Sequence, residues 1–473
     1  MDVAKILARI DDQFETHLIK IQDYLQIKSI SATGEGIEET AKATANVLNE
    51  LGATDVHLAE TSGYPVVYGE MITDPSKKTL LFYSMYDVQP VEAEKWVVDP
   101  FAGAVVEEFE DLGRCLVSRG VINTKGPIMG FFNALKSIIE VEGDLPCNLI
   151  FAIEGEEELG SPHFPEFVEE YAKKLKRADG AYLPFFAENK VGKVKMWLGA
   201  KGIIYLKLRV RGGDWGGPRT RHIHSSYHSW VDSPVWKLVH CLADMKAPDG
   251  TIKIPDFYRD LIPPSAEDEE LLTKLTETMD FEEIKSSLDI SRFRGELPEG
   301  KDLLQQHLFS TTLNIDGLDA GYTGPGTKTI LPCEARAYLD IRLIPNQEPE
   351  RQIGLLKEFL KKNHPLVEIE SYDAYPWAKV SVREPLCQAL LRTYQAFGKK
   401  VEIWPHHSGS APFYLFSRNL GMPFIWGGLG HGNRMHSPNE YAVVAGDNKV
   451  GGIREFEKSI VTFLYEFSQE KMH

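Results

Sequence analysis

The sequence predicts an α/β fold, a central mixed sheet flanked by helices, with a smaller α+β domain inserted into it. Three observations carry this. Short apolar runs that read as buried strands, residues 79–84 and 149–153, alternate with segments of helical spacing such as Met129, Phe132, Leu135, Ile138 and Ile139. From about residue 203 the period changes: Ile204, Leu206, Leu208 and Val210 alternate with Lys207 and Arg209, the pattern of a strand wet on one face. From about Trp377 the first pattern returns, which makes the middle of the chain an insertion. The expected division is 1–202 and 377–473 for the large domain and 203–376 for the inserted one.

Taken in order, Ile6, Ile10, Phe14, Leu18, Ile21 and Leu25 fall on one helical face, and the acids throughout this stretch mark a folded helix rather than a signal peptide. Residues 37–51 read as a second helix stopped by Gly52, and 65–70 as a strand. In the insertion, Ser233-Pro234 opens a helix carrying Val235, Leu238, Val239 and Leu242. A second half-wet strand runs through Ala335, Ala337, Leu339, Ile341 and Leu343, followed by a helix with Ile353, Leu356, Phe359 and Leu360. The glycine-rich stretch 321–329 fails as a phosphate loop because Thr327 stands between Gly326 and Lys328.

With 473 residues there is chain enough for two domains and a sizeable core. The net charge of -17 argues against nucleic acid or an anionic membrane as partner, since both need a basic footprint, and no apolar run is long enough to span a bilayer. A small molecule or peptide is the expected ligand. Cys115, Cys147, Cys241, Cys333 and Cys387 are scattered and odd in number, which suits a reducing cytoplasm better than a disulfide framework.

Chemistry is expected where the 149–153 run ends in Glu154, Gly155, Glu156, Glu157 and Glu158. In open α/β sheets ligands bind beyond the carboxyl ends of the strands, so these acids stand where a general base or a cation ligand would be needed. On its own, an acidic run is more often a solvated turn.

The order of further motifs decides the matter. Tyr86-Asp87-Val88-Gln89-Pro90, Trp96, Asp99-Pro100-Phe101, Arg119-Gly120, Lys125-Gly126, the 154–161 run and His436-Ser437-Pro438-Asn439-Glu440 together resemble the dinuclear-zinc peptidase family, metallopeptidase family M20. His224-Ser225, the 321–326 loop and the 341–346 stretch extend the resemblance through the insertion.

The resemblance implies a catalytic domain with paired zinc ions, an inserted lid through which such enzymes usually homodimerise, and hydrolysis of an amide bond. It gives Glu157 the role of general base, Asp87 that of the acid orienting a metal ligand, and His224 that of oxyanion stabiliser. Arg342 and Thr329 take substrate-carboxylate roles, and Ser410 belongs to the substrate loop. Of the five usual metal ligands it finds only Glu158 and His436. The other three positions hold Met85, Asn123 and Pro184. Methionine is a soft neutral donor, asparagine offers one neutral carbonyl and cannot bridge two cations, and proline has no donor. The expectation is at most one zinc or other divalent ion, on Glu158 and His436 with a doubtful Asn123 carbonyl, or none. His222, His228, His406, His407 and His431 stand as possible recruits to a rebuilt site.

The function expected is hydrolysis of an amide or peptide bond in a small amino-acid derivative or short peptide with a free carboxylate. The alternatives are metal-independent acid-base chemistry on Glu157, or a non-catalytic binding protein.

Overall fold

The computed structural model describes residues 2–295, 297–447 and 449–470. The chain divides into two units, one formed by residues 1–198, 380–404 and 415–473, the other by 199–379 and 405–414.

The first unit is built on a six-stranded sheet in the order Thr54–Ala59, Val66–Met71, Asn148–Glu154, Thr79–Met85, Gly180–Pro184, Phe424–Gly427. The first two pairings are antiparallel and the other three parallel, so the sheet is mixed. Every residue of the four strands from Asn148–Glu154 onward is buried, the mark of parallel strands covered on both faces. Helix Lys125–Glu142 supplies part of that cover. Phe82 of the sheet lies with its ring centroid 4.4 Å from that of Phe131 and 5.5 Å from that of Phe151. Such aromatic pairs add about 0.5–1.5 kcal/mol beyond the area they bury.

Helices Val3–Gln26 and Ile453–Gln469 pack on Lys125–Glu142. The N-terminal helix buries Ile6, Ile10, Phe14, Leu18, Ile21 and Leu25, the face its spacing marked. A buried polar contact ties the three helices together: His17 Nδ1 lies 2.7 Å from Glu457 Oε2, and Asn133 Nδ2 donates to Glu457 Oε1 at 3.0 Å.

In the second unit an antiparallel sheet runs Thr312–Asp319, Glu334–Leu343, Gly199–Arg211, Glu368–Tyr375. Ile204, Leu206, Leu208 and Val210 face helices Pro234–Met245 and Pro349–Asn363, meeting Leu238, Leu242, Ile353 and Leu356 among others. The intervening Lys207 and Arg209 instead pair with Glu370 on the open face, at 2.9 and 2.7 Å.

Two features of this unit differ from the sequence reading. Residues 405–414, expected with the large domain, belong here because strand His407–Ser410 pairs parallel with Ala200 and Lys201. Helices Ala266–Thr278, Phe281–Ser287 and Lys301–Phe309 were not anticipated. The first of them is announced by a capping box, Ser265 with Asp268.

Candidate active site

The register of the first unit's sheet sets Met85 opposite Glu154, so the carboxyl ends of Thr79–Met85 and Asn148–Glu154 open at one edge. The chain leaves the first strand through Tyr86 and Asp87 and the second through Gly155 and the 156–158 acids. Gly155 is required here, because a Cβ would lie 2.4 Å from the Tyr86 ring.

Asp87 is fully buried and fastens the two segments together. Its Oδ1 accepts the backbone N–H of Glu157 at 3.2 Å and its Oδ2 that of Glu158 at 3.0 Å. Burial, followed by the neighbouring Glu158 charge, pushes the Asp87 carboxyl up to about 7. Glu154 is pushed up to about 8 by burial, while its Oε1 accepts from Tyr83 at 2.6 Å and Ser161 at 2.9 Å. Glu157 is raised well above the carboxylate range, first by desolvation, then by the charges of Glu158, Asp87 and Glu154. Among the described residues its carboxylate has no hydrogen-bond partner. A carboxylate held in place by its backbone, crowded by like charge and free at its tip is what a proton acceptor needs.

Glu158 is the opposite case. Its side chain is 3% exposed and satisfied on both oxygens. Oε1 accepts Asn123 Nδ2 at 2.7 Å, Oε2 accepts Gln89 Nε2 at 2.9 Å, and His436 Nε2 lies 3.1 and 3.0 Å from the two oxygens. Asn123 Nδ2 also lies 3.1 Å from His436 Nε2. The hydrogen bond to Glu158, then its charge, raises the pKa of His436 despite partial burial.

Glu158, His436 and Asn123, the three candidate metal ligands, lie beside one another. The amide nitrogen faces Glu158, not the carbonyl, because a carbonyl oxygen at that distance would repel the carboxylate. Among the described residues no group of three or more His, Cys, Asp or Glu is arranged to hold a metal. His431 is not recruited either, since its two ring nitrogens lie 2.9 Å from the Glu188 carbonyl and 3.2 Å from the Tyr441 hydroxyl.

Three of the motif residues that carried no assigned role take part in this site. Gln89 is one. The others are Arg119 and Glu440, buried and paired at 2.7 Å. Glu440 also accepts the backbone N–H groups of Gly120, Ile122 and Asn123 at 3.2, 3.0 and 3.1 Å, and so fixes the loop that presents Asn123. Four donors on one buried acid mark a positioning device. The sequence signal was a charged pair, Arg119 and Glu440, inside two otherwise small and polar motifs.

The second unit holds the remaining candidates in two separate contacts. His224 and Thr329 come from paired strand ends, where His224 lies opposite Ile330. The Ser226 backbone N–H donates to His224 Nδ1 at 3.2 Å, so in the neutral ring the proton sits on Nε2, which reaches Thr329 Oγ1 at 2.9 Å. Arg342 donates from Nε to Asp340 at 2.7 Å and from Nη1 to Ser410 Oγ at 3.0 Å, and Ser410 Oγ in turn donates to the Gly202 carbonyl at 3.2 Å. Arg342 and Ser410 are therefore brought together, and among the described residues Nη2 makes no hydrogen bond.

An M20 family metallo-carboxypeptidase, Sso-CP2 from Sulfolobus solfataricus, is 30% identical and superposes with a TM-score of 0.84 over 95% of this chain and 98% of that one. The Cys-Gly metallodipeptidase dug1 of Schizosaccharomyces pombe is 28% identical over 379 residues, 76% of either protein. The Beta-Ala-His dipeptidase of Homo sapiens is 29% identical over 326 residues, 66% of this chain and 61% of that protein. Residues 81–451 match the model of peptidase family M20/M25/M40. The chain belongs to that family.

Proposed function

We propose that this chain hydrolyses an amide or peptide bond in a short peptide or small amino-acid derivative that carries a free carboxylate. Glu157 takes the proton of the attacking water and returns it to the leaving amine. The observation that carries this reading is the Glu157 carboxylate, backbone-fixed by Asp87 and without a hydrogen-bond partner of its own among the described residues. Family membership and the similarity to a Cys-Gly metallodipeptidase and a Beta-Ala-His dipeptidase support the substrate class. His224, with its proton on Nε2, is the proposed donor to the tetrahedral oxyanion. Arg342, with Thr329 and Ser410, is the proposed carboxylate clamp.

The metal pair implied by the family does not fit the donors present. Met85 and Pro184 end their strands with no hard donor, and Asn123 turns its amide hydrogens toward Glu158. Glu158 and His436 are the two donors at this site available to a divalent cation.

Homodimerisation through the second unit is part of the proposal. Trp230, 86% exposed there, is available to such an interface, and sedimentation velocity tests it. A cytoplasmic location is also proposed: all five cysteines are free thiols, and no helix among the described residues is long and apolar enough to cross a membrane. The test of the reaction is amine release from a panel of dipeptides and acyl-amino acids by the wild type and Glu157→Gln.

A further inference from the structure

We infer that the side-chain amide of Asn123 holds the place of a cation beside Glu158, so that the resting site retains no divalent metal, and that one acidic substitution at position 123 would convert it into a metal site. This deepens the proposed reading of the same site, and concerns how the site is held together rather than whether it turns over.

Glu158 is buried, and a buried carboxylate must be met by a cation or by hydrogen-bond donors. Here donors meet it from three sides: Asn123 on one oxygen, Gln89 on the other, and His436 within 3.1 Å of both. Gln89 Nε2 also donates to the Glu158 backbone carbonyl at 3.1 Å, so this side chain is fixed at two points.

The network is also rigidly mounted. Glu440 grips the Asn123 backbone N–H and those of Gly120 and Ile122. The next residue, Thr124, donates from Oγ1 to the Met85 carbonyl at 2.6 Å. The Asn123 backbone is thus pinned on both sides, which sets its side chain against Glu158 and His436. Turning the amide over would set Oδ1 against Glu158 at the 2.7 Å that Nδ2 now occupies, which is repulsive unless a cation intervenes. For a divalent ion to enter, it would have to displace the amide hydrogens, and it would find one carboxylate and one imidazole where catalytic zinc uses three protein ligands. The substitution Asn123→Asp supplies the third ligand and the missing negative charge at a position already set against Glu158 and His436.

The test is elemental analysis of the full chain, as purified and after incubation with zinc or manganese chloride followed by desalting. The inference expects well below about one metal per wild-type chain, and about one zinc per Asn123→Asp chain, the latter lost on adding Glu158→Gln. Zinc should raise the Tm of Asn123→Asp and leave that of the wild type unchanged. About one tightly held metal in the wild type overturns the inference. An Asn123→Asp chain that folds yet stays metal-free overturns the assignment to Asn123. Should Asn123→Asp fail to fold by circular dichroism, Asn123→Cys, which brings a thiolate of similar size, answers the same question. The hydrolase reading fails separately, by absence of turnover in the wild type whatever its metal content.

Discussion

Replacing Glu440 by alanine removes a single carboxylate on which four donors converge. Arg119 is left as a buried, unpaired guanidinium, and the N–H groups of Gly120, Ile122 and Asn123 lose their acceptor. Deleting one partner of a buried ion pair costs about 3–5 kcal/mol. Each N–H that finds no water costs about 1–3 kcal/mol, but these penalties overlap with the first, so about 4 kcal/mol is expected for the whole. In a unit of this size 1 kcal/mol shifts Tm by about 2–4 °C, which puts the variant about 8–16 °C below the wild type. Scanning calorimetry of Glu440→Ala, Glu440→Gln, Arg119→Met and the Arg119→Met/Glu440→Ala double variant checks this. Glu440→Gln keeps an acceptor oxygen for the loop and should lose less. The double variant should cost less than the sum of its parts, because the stranded cation is gone. A Glu440→Ala protein melting within about 2 °C of the wild type, or strictly additive losses, would refute the claim that this acid holds the Asn123 loop.

Three further outcomes follow from the second unit. Arg342→Met should raise KM about 10–100-fold with kcat little changed if Arg342 binds the substrate carboxylate; a pure kcat loss would contradict that role. His224→Ala should lower kcat by about 10²–10³-fold while leaving Tm near that of the wild type, since the ring is exposed and its contacts are to the exposed Ser226 and Thr329; unchanged kcat removes it from the reaction. Lys201 is buried, donating to the carbonyls of His307 and Ser310 at 2.9 Å each, and burial brings its pKa down to about 8. Below that pH both folded and unfolded chains carry the proton and the burial penalty is constant. Between about pH 8 and the ordinary lysine value near 10.4 the unfolded chain binds more protons, so stability rises with pH. Wild type should therefore gain, relative to Lys201→Met, by on the order of 3 kcal/mol across that window in pH-dependent denaturant titrations, and a flat difference would contradict the burial account.

The fold was legible where one period ruled a segment. The N-terminal helix, the buried strands and the half-wet strands of the insertion all follow from spacing, because burial on one face or on both leaves a direct imprint on the sequence. The 405–414 segment was not legible, since its membership rests on a short parallel pairing with Ala200 and Lys201 that leaves no local pattern. At the site, Asp87, Glu157, Glu158 and His436 could be named from motif order. Which way the Asn123 amide points could not, because that is decided by what stands opposite it in space. Gln89 and Glu440 were quoted without a role for the same reason: each acts through a partner distant in sequence, Glu158 for one and Arg119 with the 120–123 loop for the other.

The proposed reaction rests on Glu157 as proton acceptor, and the most direct measurement is amine release from a panel of dipeptides and acyl-amino acids by the wild type beside Glu157→Gln. The substitution keeps shape and leaves the backbone contact to Asp87 intact, so the fold should be unaffected. A wild-type activity that falls by about 10²-fold or more in Glu157→Gln, at unchanged Tm, is the predicted result. Equal rates for the two proteins, or no turnover of any substrate by the wild type, would contradict it.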